Sequence, residues 1–302
     1  MQKVLGLPKL PTNLVYYKRQ LSIFNEGIHC ASTNIPYSFI WREGIAGRGA
    51  QEVGSCLKNF IDLHPKENIR ELVLWSDSCG GQNRNIKIVL LLKKILEKCW
   101  VALQKIQLKY LESGHSFLIN DTDFGLIERP LKQQVRIYTL NDFKSIIEDC
   151  KTNNKFVVQQ MECNDFFSIE DIEKKITNRK LSVKSKKISW LKTKAIRLIK
   201  EKHFSIFFKY DHSEDNCFQE VDISKTTRGK KTNHPKFEDL KRLYPNGKPI
   251  SSKKAADIKS LLRFIPTDAK VFYKVDAIKD FLDDIDGFSE DVDFEVEEDN
   301  LN

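Results

Sequence analysis

Asp77 stands directly after a short apolar segment, at a position where a carboxylate can bind a metal ion. Residues 70–76 (RELVLWS) predict a strand apolar enough to be buried on both faces, and residues 77–81 (DSCGG) predict a turn. Ligands of parallel sheets collect at the carboxyl ends of strands, where Mg²⁺ is held by one or two carboxylates and substrate phosphate. The competing interpretation is that Asp77 caps the turn or the helix that follows.

A second group of polar residues follows the last strand predicted in this part of the chain. His115, Asp121, Asp123 and Glu128 fall within the segment GHSFLINDTDFGLIE. One of the three acids could complete a site with Asp77, since two-metal phosphoryl transfer uses carboxylates that hold ions about 4 Å apart. We therefore predict Mg²⁺ or Mn²⁺ ligands among Asp77, Asp121, Asp123 and Glu128, with His115 orienting water or phosphate. Alternatively, Asp121 or Asp123 caps a helix and Glu128 lies on the surface.

Several other site classes are excluded by spacing. The seven cysteines and six histidines form none of the short-spaced pairs that a zinc site requires. The Gly80-Gly81 pair fits neither a P-loop nor a dinucleotide-binding motif. No segment has the roughly 20 apolar residues of a membrane span, and no signal peptide pattern is seen. Scattered thiols then indicate a reducing compartment, so we expect a nuclear or cytoplasmic protein.

Charge is distributed unevenly along the chain. The 302 residues carry a net charge of +8, but residues 280–302 hold 11 acids and no Lys or Arg. The rest of the chain therefore has 50 basic and 31 acidic residues, a net of +19. A basic body attracts polyanions, which makes nucleic acid, and DNA first, the expected partner. The alternative is an ordinary basic protein with a solvating acidic tail.

The basic residues concentrate in two clusters after residue 170. Residues 174–202 contain 12 basic residues and one acid, and a second cluster spans residues 225–236. We expect most nucleic-acid affinity to come from these clusters, with little sequence preference. The candidate contact residues are Lys184, Lys186, Lys187, Lys192, Lys194, Arg228, Lys230 and Lys231. The competing interpretation is that each cluster is only a solvated face.

The predicted elements indicate an α/β fold in three pieces. Residues 1–150 have the order strand, strand, strand, helix, strand, helix, strand, helix, in which an antiparallel meander is followed by a parallel crossover. This order matches a ribonuclease H-like mixed sheet flanked by helices, although other mixed folds share much of it. Residues 151–279 predict a smaller basic α+β region, and residues 280–302 predict a disordered acidic tail.

Five stretches together resemble an uncharacterised, transposon-derived domain family. They are QKVLGLPKLP, YYKRQLSIFNEGIH, GRGAQEVGSCL, LVLWSDSCGGQNRN and GHSFLINDTDFGLIE. The resemblance covers about residues 1–145 well and residues 240–275 loosely. It implies a transposase- or integrase-like protein with metal-dependent phosphoryl-transfer ancestry.

One departure from the family pattern bears on catalysis. Relatives carry an Asp directly before the Gln of QKVL, and Met1 occupies that position here. The first acid in the chain is Glu26, and strand geometry gives no reason for Glu26 or Glu43 to replace the missing Asp. We therefore expect a nucleic-acid-binding protein without strand-cleaving activity, from a truncated or domesticated copy. A non-enzymatic chromatin adaptor and a metabolic enzyme that binds a small phosphate at Asp77 are the alternatives.

Overall fold

The computed structural model describes most of the chain. It covers residues 3–64, 69–98, 102–112, 117–176, 181–213, 216–224, 226–227, 230–231, 240–274 and 277–278. The predicted acidic tail, residues 280–302, lies outside these ranges, as does His115.

Strands and helices alternate irregularly along the described chain. The strands are β1 Leu5–Leu7, β2 Leu21–Cys30, β3 Ile35–Arg42, β4 Glu71–Ser76, β5 Lys105–Tyr110, β6 Val157–Gln160, β7 Ala195–Ile199, β8 Ser205–Lys209, β9 Gln219–Asp222, β10 Thr226–Thr227, β11 Lys230–Lys231, β12 Ile250–Ser251 and β13 Ala277–Ile278. The α-helices are α1 Ala50–Leu63, α2 Ile86–Lys98, α3 Ile119–Gln133, α4 Leu140–Asp149, α5 Glu170–Glu173 and α6 Ser252–Leu261. The predicted mixed α/β class is confirmed.

The first sheet has the strand order β1-β2-β3-β6. Its first three strands form the antiparallel meander that the sequence predicts, with Leu5 opposite Ile23 and Phe24 opposite Trp41. Strand β6 then adds in parallel to β3. The second sheet has the order β4-β5-β7-β8-β9, in which β4 and β5 are parallel and the other neighbours are antiparallel.

Each sheet contains strands from both sides of residue 150. Strand β6 is hydrogen-bonded to β3, and β7 is hydrogen-bonded to β5. The predicted boundary near residue 150 therefore runs between strands that share a sheet. Strands β1 and β4 are terminal members of separate sheets.

Two hydrophobic clusters lie on opposite faces of the first sheet. Alternate residues of β2 and β3 divide between them, since successive side chains of a strand point to opposite faces. Phe24, Phe39 and Trp41 pack with α1, α2 and the inner face of the second sheet. Ile23 and Ile40 pack with α3, α4 and α6. Helices therefore cover both faces of the first sheet.

Several elements differ from the local prediction. The aromatic and β-branched residues 15–29 predict one strand, but Asn13–Tyr17 form a short 3-10 helix capped by Thr12, and the strand begins only at Leu21. Helix α3 continues through Pro130 to Gln133. Helix α4 and strand β7 were not predicted, and the helix expected over 169–176 is limited to Glu170–Glu173. Among the described residues, no helix is long and apolar enough to cross a membrane.

Candidate functional site

Asp77 follows β4 and holds the loop that leads into α2. Its Oδ1 accepts hydrogen bonds from the backbone N–H of Cys79 at 3.0 Å and from Asn83 Nδ2 at 2.7 Å. This is the local turn geometry that an Asp at a strand end commonly adopts. The capping role considered for Asp77 is thus present in the structure, and it orients the carboxylate at the strand end.

Arg84 cross-links the same loop to the body of the protein. Its guanidinium donates to Ser78 Oγ at 2.6 Å and to the carbonyl of Leu191, and it lies 5.1 Å from the centre of the Tyr110 ring. Ser78 Oγ in turn donates to the carbonyl of Leu111 at 2.6 Å. Most polar residues of the SDSCGGQNRN segment are therefore used in fixing the loop.

Glu26 is the acid that the structure brings to Asp77. It lies on β2 and is only 8% exposed. Burial raises the pKa of the Glu26 carboxyl, and the nearby negative charge of Asp77 acts in the same direction. Nothing local in the chain indicated this interaction, because Asp77 is 51 positions away from Glu26 and follows a strand of the other sheet.

The acids of α3 have separate local partners. Asp123 is buried, and its Oδ2 lies 2.8 Å from His29 Nδ1, from which it accepts a hydrogen bond. Asp121 accepts from the backbone N–H of Leu118 at 2.7 Å, which caps the helix start. Glu128 is exposed and lies 3.5 Å from Lys132 Nζ.

Asp77 and the α3 acids lie on different sides of the first sheet. Helix α3 contacts β2 at Gly27, where an added Cβ would lie 2.7 Å from the Phe124 ring, and at His29. Glu26 points to the opposite face because it alternates with Gly27 in the strand. In the described chain Asp77 makes no hydrogen bond or ion pair with Asp121, Asp123 or Glu128.

The predicted ligands therefore do not form one donor set in the part of the molecule that is described. No three His, Cys, Asp or Glu side chains are grouped there in a way that could hold a metal ion. His115 lies outside the described residues. The Mg²⁺ or Mn²⁺ site stays a prediction, and no reaction step is derived from it.

Lys184, Lys186 and Lys187 lie on a tight, exposed turn. Leu181 pairs with Lys187 across its base, and the Ser182 N–H donates to the carbonyl of Lys186 at 2.9 Å. Ser185 has a left-handed φ of 59°, which reverses the chain between them. The Val183 N–H donates to the carbonyl of Glu220 in β9, so the turn is fixed to the second sheet. All three lysines are exposed.

The other candidate contact residues differ in exposure and in whether an acid already pairs with them. Lys192 is exposed at the end of a 3-10 helix, Trp190–Lys192. Lys194 lies 2.6 Å from Glu112, so its charge is already paired. Lys230 and Lys231 form the short strand β11 opposite Thr226–Thr227, and their side chains are outside the described structure. Arg228 lies outside it altogether.

Two residues near the candidate acids were not identified by the sequence analysis. His29 is the partner of Asp123, and Trp75 projects from β4 two residues before Asp77. The alternation of RELVLWS could have suggested an outward-facing Trp75. Nothing local indicated His29, because its partner is 94 positions away.

Residues 18–220 match the model of a family described as a domain of unknown function (DUF7869). The match covers about two thirds of the chain, so the chain belongs to this family. No curated protein and no solved structure matches the chain.

Proposed function

We propose that this protein is a transposon-derived, transposase- or integrase-like protein of ribonuclease H-like fold that binds nucleic acid without cleaving it. The fold part of the proposal is supported by the antiparallel meander β1-β2-β3 followed by the parallel unit β4-α2-β5. That is the element order on which the ribonuclease H-like expectation rests.

The observation that carries the binding proposal is the exposed lysine turn at residues 181–187. Three lysines project from a backbone that its own hydrogen bonds and β9 hold in place. Exposed cations attract the phosphate backbone of a duplex and carry no sequence information. The net charge of +19 over residues 1–279 supports the same partner.

We propose that the protein does not cleave nucleic acid because its candidate acids are held by other partners. Two-metal catalysis needs several carboxylates around one point, so that both the attacking and the leaving oxygen are stabilised. Asp123 is held by His29 on the far face of the first sheet, Asp121 caps α3, and Glu128 pairs with Lys132. The charges of Asp77 and Glu26 influence each other, but among the described residues no set of three His, Cys, Asp or Glu side chains is grouped to hold a metal ion.

The alternative of a small-phosphate enzyme has less support. It requires an enclosed pocket at Asp77. An open cleft of about 420 Å³ lies beside Arg42, Gly247 and Lys274, and Asp77 does not line it.

The binding proposal is tested by the salt dependence of duplex affinity. The triple variant Lys184→Glu, Lys186→Glu, Lys187→Glu should reduce the slope of log K against log[salt] by roughly two to three, because each lost phosphate contact removes about 0.9. A matched control reverses three exposed lysines elsewhere, Lys132, Lys155 and Lys259, with the same change in net charge. An equal loss in both variants would show that the turn is only part of a general basic surface.

The catalytic proposal is tested by incubating the full chain with supercoiled DNA and Mg²⁺ or Mn²⁺. We expect no nicking above that of the Asp77→Ala variant. Robust nicking that Asp77→Ala and Glu26→Gln both abolish would contradict the proposal and would identify the two acids as metal ligands.

A further inference from the structure

The second sheet has one face covered by helices and one face, called the open face below, on which no α-helix of the described chain packs. This face is exposed at Trp75, whereas Ala195 at its centre is fully buried. Leu74, Leu108, Ile196 and Phe208 point inward and pack in the cluster that contains α2. Their neighbours along each strand point to the other side. In the described chain, no α-helix has its buried face against that side: α3, α4 and α6 pack on the first sheet.

The strand register places one row of side chains across the open face. Trp75 lies opposite Lys109, Lys109 opposite Ala195, and Ala195 opposite Lys209. In the next row, Gln107 lies opposite Arg197 and Arg197 opposite Phe207. The row nearest the end of β4 is therefore aromatic and cationic.

Aromatic rings and cations also lie close together across this face. Lys109 Nζ lies 5.0 Å from the centre of the Trp75 ring, and the His212 ring lies 5.3 Å from it. The Arg197 guanidinium lies 3.9 Å from the centre of the Phe218 ring, and Lys209 Nζ lies 5.1 Å from the same ring. Trp75 is nevertheless 47% exposed, so part of its π surface is open to solvent beside the Lys109 cation.

The acids near this row already have ion-pair or hydrogen-bond partners. Glu112 pairs with Lys194 at 2.6 Å, and Asp211 accepts hydrogen bonds from the Ser213 N–H and from Asn216. Glu71 lies at the opposite end of β4, where it pairs with Lys105 at 2.6 Å. Lys109 thus keeps a positive charge beside Trp75, and Lys209 adds a second one further along the same row, on β8.

We infer that the open face of the second sheet binds single-stranded nucleic acid, with a base stacked on Trp75 and adjoining phosphates at Lys109 and Lys209. Bases in a duplex are stacked on one another, whereas those of a single strand are free to stack on aromatic side chains above a positively charged surface. An entering base would displace the Lys109 ammonium from the ring, which leaves that cation beside the next phosphate.

This surface is distinct from the lysine turn and adds a second kind of partner to the proposed function. Trp75 lies two residues before Asp77, a distance of about 7 Å along an extended chain. A strand bound on the open face would therefore run beside the Asp77 loop.

The test compares binding of labelled oligo-dT with that of an oligo-dT·oligo-dA duplex of the same length to the full chain. Trp75→Ala should weaken oligo-dT binding about tenfold, as expected for the loss of one base–aromatic stack, and should leave duplex binding unchanged. Trp75→Phe should stay close to the wild type, since it keeps a ring. Tyr16→Ala removes another exposed aromatic residue, on the 3-10 helix before β2, and serves as the control.

The outcomes separate this inference from the proposed function. If Trp75→Ala binds oligo-dT as tightly as the wild type, the open face is not a stacking surface, even where duplex binding is normal. If the wild type does not bind oligo-dT at all, the inference is also wrong, and the face is left to a protein partner. Loss of duplex binding only in the lysine-turn variant would support the proposed function independently.

Discussion

At the scale of single residues, Asp123 shows how a candidate catalytic acid can have a structural role. Its carboxylate is buried and bonded to His29 Nδ1, and His29 Nε2 is in turn 3.1 Å from Asn34 Oδ1. The pair joins α3 to the end of β2. A buried carboxylate without such a partner would be strongly unfavourable, so the two side chains depend on each other.

Asp123→Ala should lower the free energy of unfolding by roughly 1.5–3 kcal/mol, because it leaves a buried imidazole N–H without its acceptor. Urea denaturation measures the change. Glu128→Ala, at an exposed position of the same helix, should stay within about 0.5 kcal/mol of the wild type. Equal stability of the two variants would contradict a structural role for Asp123.

At the scale of elements, α2 is attached to the second sheet through a buried lysine. Lys93 is 2% exposed, and its ammonium donates to the carbonyl of Ile199 at 2.7 Å and to that of Lys202. Burial lowers the pKa of Lys93 to about 8. The helix is otherwise apolar on this side, so the charge is tolerated only because the end of β7 supplies acceptors.

The lowered pKa predicts a pH dependence of stability. Between pH 8 and the ordinary lysine pKa of 10.5, the unfolded chain binds more protons at this position than the folded chain. The wild type should therefore gain up to about 3 kcal/mol relative to Lys93→Met as the pH rises through this window. Urea denaturation of both proteins at pH 7.5 and pH 10 tests this. A constant difference between them at the two pH values would show that Lys93 keeps an ordinary pKa.

At the scale of the whole molecule, opposite charges are separated along the chain. Residues 280–302 carry 11 of the 42 acids, while the lysine turn and the open sheet face present cations. A covalently attached acidic segment has a high effective concentration for basic surfaces of the same chain, so we expect it to compete with phosphate.

Deletion of residues 280–302 should strengthen duplex binding at low salt, because the net charge rises from +8 to +19. The advantage should shrink as salt screens the attraction. Equilibrium titration by fluorescence anisotropy gives both affinities. A full-length variant with every tail Asp and Glu replaced by Asn or Gln separates charge from length, and it should behave like the deletion. Unchanged affinity in both would indicate that the tail does not contact the basic surfaces.

Local patterns were sufficient to predict much of the secondary structure. Helices α1 and α2 and strands β3, β4 and β5 lie within about three residues of the predicted bounds, since their periodicity is produced by neighbours along the chain. Residues 15–20 are wrongly predicted as the start of a strand, because Tyr16 and Tyr17 look like strand formers but are exposed in a 3-10 helix. The short strand β7 lies within a lysine-rich segment that concealed its alternation.

The sequence by itself determined the charge separation, the α/β class and the position of Asp77 at a strand end. Only the tertiary structure decided which groups meet. It placed Glu26 beside Asp77, His29 beside Asp123 and Glu112 beside Lys194, each across more than 50 positions of sequence. It also decided that Trp75 is half exposed to solvent with the Lys109 cation beside its ring. These contacts depend on strand register and on which sheet face a helix covers. A one-residue shift of register would turn each side chain of the strand to the opposite face, and the contacts would be lost.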